Sequence, residues 1–265
     1  MILTRPSLIL ALLLLSLFPA AAQSVRLPPA GAQYDSQLGG AYPPPAGTQI
    51  VSRDREDLPA PGVYSICYIN AFQTQPQDAA WWTSNHLDLL LQRDGAPVAD
   101  PNWPGEYLLD VSMAEKRAAL LAIVGPWIDQ CARDGFAAIE ADNLDTYSRS
   151  DGALAIKDNL VFAASLVERA HALGLAFGQK NGAELGTRGQ KIGFDFAIVE
   201  SCQVYDECGD YTDVFGRHVL EIEYTDTDAR HFTDACAARG SQISVIRRDR
   251  GLTMPGEPDY FYQTC

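Results

Sequence analysis

From Phe136 to Tyr147 the chain reads FAAIEADNLDTY, an apolar run that acquires carboxylates at Glu140, Asp142 and Asp145. As a strand it alternates, sending Phe136, Ala138, Glu140 and Asp142 to one face and Ala137, Ile139 and Ala141 to the other. Two carboxylates then share a face and emerge beside Asn143. Packing has no use for such a pair, whereas acid-base chemistry does: one carboxyl group delivers a proton while the other stays ionised as nucleophile or base. The plainer alternative is a turn or helix N-cap built from Asp and Asn.

Other apparent strands end in the same way. VYSICYINAF carries Tyr64, Ile66, Tyr68 and Asn70 on one face; GLAFGQKNG stops at Lys180 and Asn181, FDFAIVESC at Glu200, RHVLEIEYTD at Glu223 and Tyr224, and GEYLLDVS at Asp110. Asp110, Asp142 and Glu200 are the leading acids, with Glu140 and Glu223 behind them and Tyr68, Asn143, Lys180, Asn181 and Tyr224 available to line a cleft. There is no G-x-S-x-G elbow, and the four histidines, His86, His171, His218 and His231, fall on expected helices or at a strand start, which argues against a serine or cysteine triad. With no histidine at a strand end and neither CxxC nor a Cys/His cluster, no metal is expected, and no cofactor is called for. Paired acids are what glycoside hydrolysis needs.

Such residues must be held at one end of a parallel sheet, because there the loops vary without disturbing the core. Strands are expected at 34–40, 48–54, 63–72, 107–111, 136–142, 175–180, 194–200, 217–226 and 243–249. Helices are expected at 84–91, 114–133 (with a break or kink at Pro126), 158–173 and 227–239. Short apolar strands alternating with helices over some 230 residues point to a (β/α)8 TIM barrel as a single domain, 34–265. Nine strands compete for eight places, so either YLLDV or one of the two N-terminal strands is peripheral. Residues 76–106, with Trp81, Trp82 and Trp103, form a long excursion whose aromatics either stack on sugar faces or anchor the loop.

Residues 1–22 have one charge, Arg5, an apolar run from Leu8 to Phe18 broken only by Ser16, and small residues Ala20 and Ala22, the pattern of a cleaved signal peptide. The mature chain is then expected outside the cytoplasm, secreted or periplasmic, with no membrane span and a flexible arm at 23–33. The formal charge is −14, or −15 once Arg5 leaves with the signal peptide. A field of that sign repels nucleic acid and attracts cations, although it also serves solubility. All six cysteines lie in the exported part. Cys202 and Cys208 would close a short loop and Cys236 with Cys265 would tie down the C-terminus, while Cys67 and Cys131 either pair or stay buried as small apolar groups.

The chain also resembles glycoside hydrolase family 114, secreted barrels that include endo-α-1,4-polygalactosaminidases. The resemblance is carried by ICYINAF, WPGEYLLDV, GFAAIEADNLDTY, GLAFGQKN, DFAIVESCQVYDEC and LEIEYTD, in that order. It implies that Asp142, just before Asn143, and Glu200, ending the VES strand, are the catalytic pair. It also implies a polysaccharide substrate, a galactosamine polymer whose amino groups make it a polycation. A monomeric, retaining, endo-acting glycosidase is expected, with Asp142 as nucleophile and Glu200 as general acid and base. The alternative is an inactive sugar-binding relative.

Overall fold

The computed structural model describes residues 25–265. The expected signal peptide at 1–22 lies outside the described residues. Eight strands pair parallel in chain order: β1 Tyr34–Gln37, β2 Ile50–Asp54, β3 Tyr64–Asn70, β4 Ala138–Asp142, β5 Ala176–Lys180, β6 Phe196–Glu200, β7 Val219–Tyr224 and β8 Ser244–Arg248. A last strand, β9 Tyr262–Thr264, runs antiparallel on β8. The sheet curls until its edges meet. Arg248 reaches from β8 to Asp35 of β1 at 2.7 Å and to the Ser36 carbonyl, and the Tyr262 hydroxyl donates to the Tyr34 carbonyl at 2.9 Å. The result is a nearly closed TIM barrel.

The helices are α1 Ala79–Asn85, α2 Ala114–Asp134, α3 Ile156–Ala172, α4 Thr187–Ile192, α5 Cys202–Tyr205, α6 Cys208–Phe215 and α7 Ala229–Arg239. Two hydrophobic layers follow from strand alternation. Ile66, Ala138, Ala176, Phe196, Ile198, Leu220, Ile222 and Ile246 fill the barrel, while Cys67, Ile139, Phe177, Val199 and Val245 face the helices. Gly178 points inward level with Phe196, where a Cβ would come within 2.9 Å of the ring, so only glycine leaves room for that aromatic beneath the site.

YLLDV is the peripheral segment, and both N-terminal strands are in the barrel. Residues 107–109 make only isolated antiparallel bridges, to Ala99 and Leu90 within the excursion and to Gln73 just before it. A parallel strand there would need a crossover helix before it, and α1 with the short 3-10 turn Leu87–Leu89 is too small to serve. The helix expected at 84–91 is those two shorter pieces. The expected break at Pro126 is absent from α2, which continues as one helix of 21 residues. Its stripe Leu120, Val124, Ile128 and Cys131 is buried against the sheet, and burial of that face outweighs the one backbone bond a proline removes. Gly135, at φ 93°, ends α2 in the left-handed region and turns the chain into β4.

All six cysteines are bridged: Cys67–Cys131, Cys202–Cys208 and Cys236–Cys265, with Cα separations of 6.0, 4.9 and 5.5 Å. The first fastens α2 to β3. Residues 25–33 have no regular structure but lie against the N-terminal end of the barrel, where Tyr64 donates to the Arg26 carbonyl at 2.6 Å and Ser244 to that of Ala32 at 2.5 Å.

Candidate active site

At the C-terminal mouth, β4, β5 and β6 deliver Asp142, Lys180 and Glu200 to one point. All three face inward because they share parity with the apolar barrel residues Ala138, Ala176 and Phe196. The Lys180 ammonium lies 3.0 Å from Glu140, 3.2 Å from Asp142 and 3.5 Å from Glu200, and only 3% of its side chain is exposed. Burial opposes a charged lysine, but the three carboxylates around it prevail and hold its pKa well above the ordinary value. Because Asp142 and Glu200 touch the same nitrogen, their nearest oxygens are no farther apart than those two spans laid end to end.

Asp142 accepts from the Tyr68 hydroxyl at 2.8 Å on one oxygen and from the Asn143 backbone N–H at 2.8 Å on the other. Burial raises its pKa, yet Lys180, Tyr68 and Asn143 outweigh burial and keep the carboxyl below its usual range. Glu200 is bound differently. Asn181 donates its side-chain amide to one oxygen at 2.9 Å and accepts the Glu200 backbone N–H at 2.9 Å, while the Tyr224 hydroxyl donates to the other oxygen. The Arg250 guanidinium lies over the Tyr224 ring at 3.8 Å. Glu140 lies below the pair, 1% exposed, with its second oxygen lacking any partner among the described residues.

The backbone after each of these strands turns through the left-handed region at a residue other than glycine: Asn143 at φ 62°, Asn181 at φ 49° and Ser201 at φ 57°. The turn lets Asn143 and Asn181 bring their amides back over the strand ends. Asn143 thereby joins Asn70 at 2.9 Å and Arg149 at 2.8 Å, and Arg149 holds Asp145 at 2.8 Å and Asp100 of the excursion at 2.6 Å. Glu106, also from the excursion, reaches the cleft and accepts from Gln73 at 2.7 Å; burial raises its pKa. Arg149, Arg250 and Glu106 were not among the sequence candidates, since nothing local distinguishes them from ordinary loop charges. Asn70, in contrast, stood on the Tyr68 face of β3.

Two sequence candidates do not line the cleft. Asp110 sits at the start of α2, accepting from the Ser112 N–H at 3.0 Å and from Lys116 at 2.6 Å, so it is an anchor for the helix. Burial raises its carboxyl pKa, but the Lys116 and Ser112 bonds outweigh that and lower it. Glu223 points out of the barrel, because Leu220, Ile222 and Tyr224 take the inward parity of β7. It accepts from the Gln203 N–H at 3.0 Å under α5, and burial pushes its pKa up to about 7. Tyr68, Glu140, Asp142, Asn143, Lys180, Asn181, Glu200 and Tyr224 are brought together.

Above this cluster lie two adjoining cavities of about 300 and about 790 Å³ that share Trp103, Asp145, Glu200 and Arg250. Asp142 lines only the first, and the second continues past Glu184, Tyr205 and Glu207. Of the tryptophans in the excursion, Trp82 is buried against Trp127 and anchors the loop, whereas Trp103 is half exposed at the cleft.

Paired carboxylates at the C-terminal mouth of a barrel, opening on an elongated polar cleft, define a barrel enzyme site of the acid-base type. The sequence as a whole gives the family: the model of glycoside-hydrolase family GH114 matches residues 16–265, and the chain belongs to that family. No curated protein matches in sequence. Among solved structures, Ega3 of Aspergillus fumigatus in complex with galactosamine superposes with a TM-score of 0.71 at 22% identity, covering 91% of this chain and 98% of that one. The glycoside hydrolase domain of PelA from Pseudomonas aeruginosa gives 0.58 at 16% identity over 86% of this chain and 99% of that one. Both likenesses concern the fold. Among the described residues no helix is long and apolar enough to cross a membrane.

Proposed function

We propose that this protein is an exported, monomeric endo-glycosidase that cleaves α-1,4 linkages within galactosamine-containing polysaccharide, with Asp142 as nucleophile and Glu200 as general acid and base. The observation that carries the reading is the pair itself: two carboxylates on one buried ammonium, one of them held ionised by Lys180, Tyr68 and the Asn143 N–H. The separation is compatible with retention: laid end to end, the 3.2 and 3.5 Å spans to Lys180 cap the gap between the nearest oxygens just past the lower edge of the inverting range, about 6.5 Å, and leave room for the roughly 5–5.5 Å of retention.

In the first step the Glu200 carboxyl O–H gives its proton to the glycosidic oxygen. The bond from that oxygen to C1 breaks, the chain on the leaving side departs as an alcohol, and an Asp142 oxygen bonds to C1. In the second, ionised Glu200 takes a proton from water, the water oxygen bonds to C1, and the Asp142 ester bond breaks. Endo action fits a cleft that extends on both sides of Glu200. A cationic polymer fits the formal charge of −14 and the acids Asp145, Glu184 and Glu207 along that cleft. Three disulfides fit an oxidising compartment.

The test is to incubate the protein with polygalactosamine and with neutral glycans, size the products, and follow the fresh anomer by NMR. Shorter cationic oligomers of unchanged anomeric configuration are expected from the wild type, and none from Asp142→Asn or Glu200→Gln, both folded and still binding polymer. Binding without new reducing ends in the wild type makes the protein a lectin-like relative. Full activity in either variant refutes the pair, and an inverted anomer refutes retention.

A further inference from the structure

Glu140 and Lys180 invite a reading as sugar contacts, but the geometry assigns them another task. Lys180 has three ammonium protons and three carboxylate neighbours, Glu140, Asp142 and Glu200, at 3.0, 3.2 and 3.5 Å. Its hydrogen bond goes to Glu140, the other two carboxylates compete for its remaining protons, and although Lys180 lines the cavity floor only 3% of its side chain is exposed there. Glu140 is deeper still, on the side of the ammonium away from the cleft; it is absent from the cavity lining that includes Lys180.

We infer that Lys180 is a counter-ion shared by the two catalytic carboxylates through both halves of the reaction, and that Glu140 is the permanent anion that holds it there. This rests on the retaining assignment of Asp142 and Glu200 made above. Before cleavage the negative charge is on Asp142 and the proton on Glu200. Once the glycosyl ester forms, Asp142 is neutral and Glu200, having given its proton to the departing alcohol, is the anion. The charge thus moves from one neighbour of Lys180 to the other, and the ammonium serves both without moving. Throughout, Glu140 keeps a buried cation from ever standing alone, a situation that would otherwise expel its proton. Asn181 and Tyr224, which bond Glu200, and Tyr68, which bonds Asp142, orient the two acids on either side of the pivot.

Both residues are therefore positioning residues, and their signature is electrostatic. The titratable or charged groups facing them from the surrounding elements are Tyr34 on β1, Tyr68 on β3, Asp142 on β4, Glu200 on β6 and Tyr224 on β7, with Arg250 beyond Glu200. Among these the two catalytic carboxyls set the bell-shaped pH–rate profile, whose limbs belong to the pair. Burial raises the Glu140 pKa, whereas at Asp142 burial is outweighed by Lys180, Tyr68 and the Asn143 N–H, which lower its pKa, so Glu140 is already neutral across the acidic limb; Glu140→Gln is expected to leave that limb in place and to move the basic limb to lower pH by about one unit. The double variant Glu140→Gln/Lys180→Met removes the ammonium as well, without stranding a buried carboxylate. Its limbs are expected to return upward past those of the wild type, with kcat down at least about 100-fold and KM within about threefold.

The experiment is kcat and kcat/KM on polygalactosamine from pH 3 to 9 for the wild type and the two variants, with circular dichroism to establish folding. A basic limb that stays in place in Glu140→Gln overturns the inference, whether because Glu140 is neutral there too or because it only packs. A large rise in KM with unmoved limbs overturns it in favour of a sugar contact. If the double variant does not fold, the direction of the Glu140→Gln shift decides alone. If the wild type cleaves nothing, the proposed function fails separately, and carboxyl-carbon NMR titration still reads the inference: the later of the two transitions of the Asp142–Glu200 pair is expected at lower pH in Glu140→Gln, and an unchanged value overturns it.

Discussion

Glu223 gives the sharpest quantitative prediction, and it concerns stability rather than catalysis. The side chain is 1% exposed, one oxygen accepts from the Gln203 N–H, and the other has no partner among the described residues. Burial raises its pKa from 4.5 to about 7. A carboxyl raised on folding destabilises the fold once it must ionise, so its full contribution is present below about pH 4.5 and is lost as pH climbs through 7. Linkage puts the loss at about 0.8 kcal/mol at pH 5 and about 3 kcal/mol at pH 8. Glu223→Gln keeps the oxygen that accepts from Gln203 and cannot ionise. Compared with its effect at pH 5, the substitution is therefore expected to favour the folded state by about 2.5 kcal/mol more at pH 8, or about 5–10 °C in Tm for a domain of this size. The assay is thermal unfolding of both proteins at the two pH values with disulfides intact. A Tm difference independent of pH would refute the reasoning, since a packing effect of the substitution carries no such slope.

Two further substitutions test the supports of the site. Tyr224→Phe removes the hydroxyl bonded to Glu200 while leaving the ring under Arg250; kcat on polygalactosamine is expected to drop about 10–100-fold with KM little changed, and a raised KM with intact kcat would instead place that hydroxyl on the sugar. Cys67→Ser/Cys131→Ser opens a bridge spanning a sequence separation of 64. Chain entropy predicts a loss of about 4 kcal/mol, seen as a Tm lower by about 10 °C, and an unchanged Tm would show the pairing to be energetically idle.

The barrel was legible because its strands announce themselves twice, by apolar alternation and by polar ends. Asp142 and Glu200 were legible for the same reason, each lying four residues beyond an apolar residue of inward parity, Ala138 and Phe196. Counting polar strand ends without applying parity misled at Glu223: Leu220, Ile222 and Tyr224 had already claimed the interior of β7, so the acid between them had to face the helices. Asp110 misled for another reason. YLLDV has the composition of a strand, but whether such a segment joins a barrel depends on the crossover before it. Arg149, Arg250 and Glu106 were invisible because their roles depend on loops that meet only in space; Arg149 matters because Asp100, 49 residues earlier, folds back onto it.

Asn143, Asn181 and Ser201 hold a backbone shape that glycine would adopt more readily, at a saving of up to about 1–2 kcal/mol per residue. Selection for heat resistance alone would therefore push two of these positions, Asn143 and Asn181, against the contacts that their amides make with Asn70, Arg149 and Glu200. An engineer seeking a hardier catalyst should keep these loops out of the library and draw gains from surfaces distant from the mouth, where robustness and turnover are not set by the same atoms.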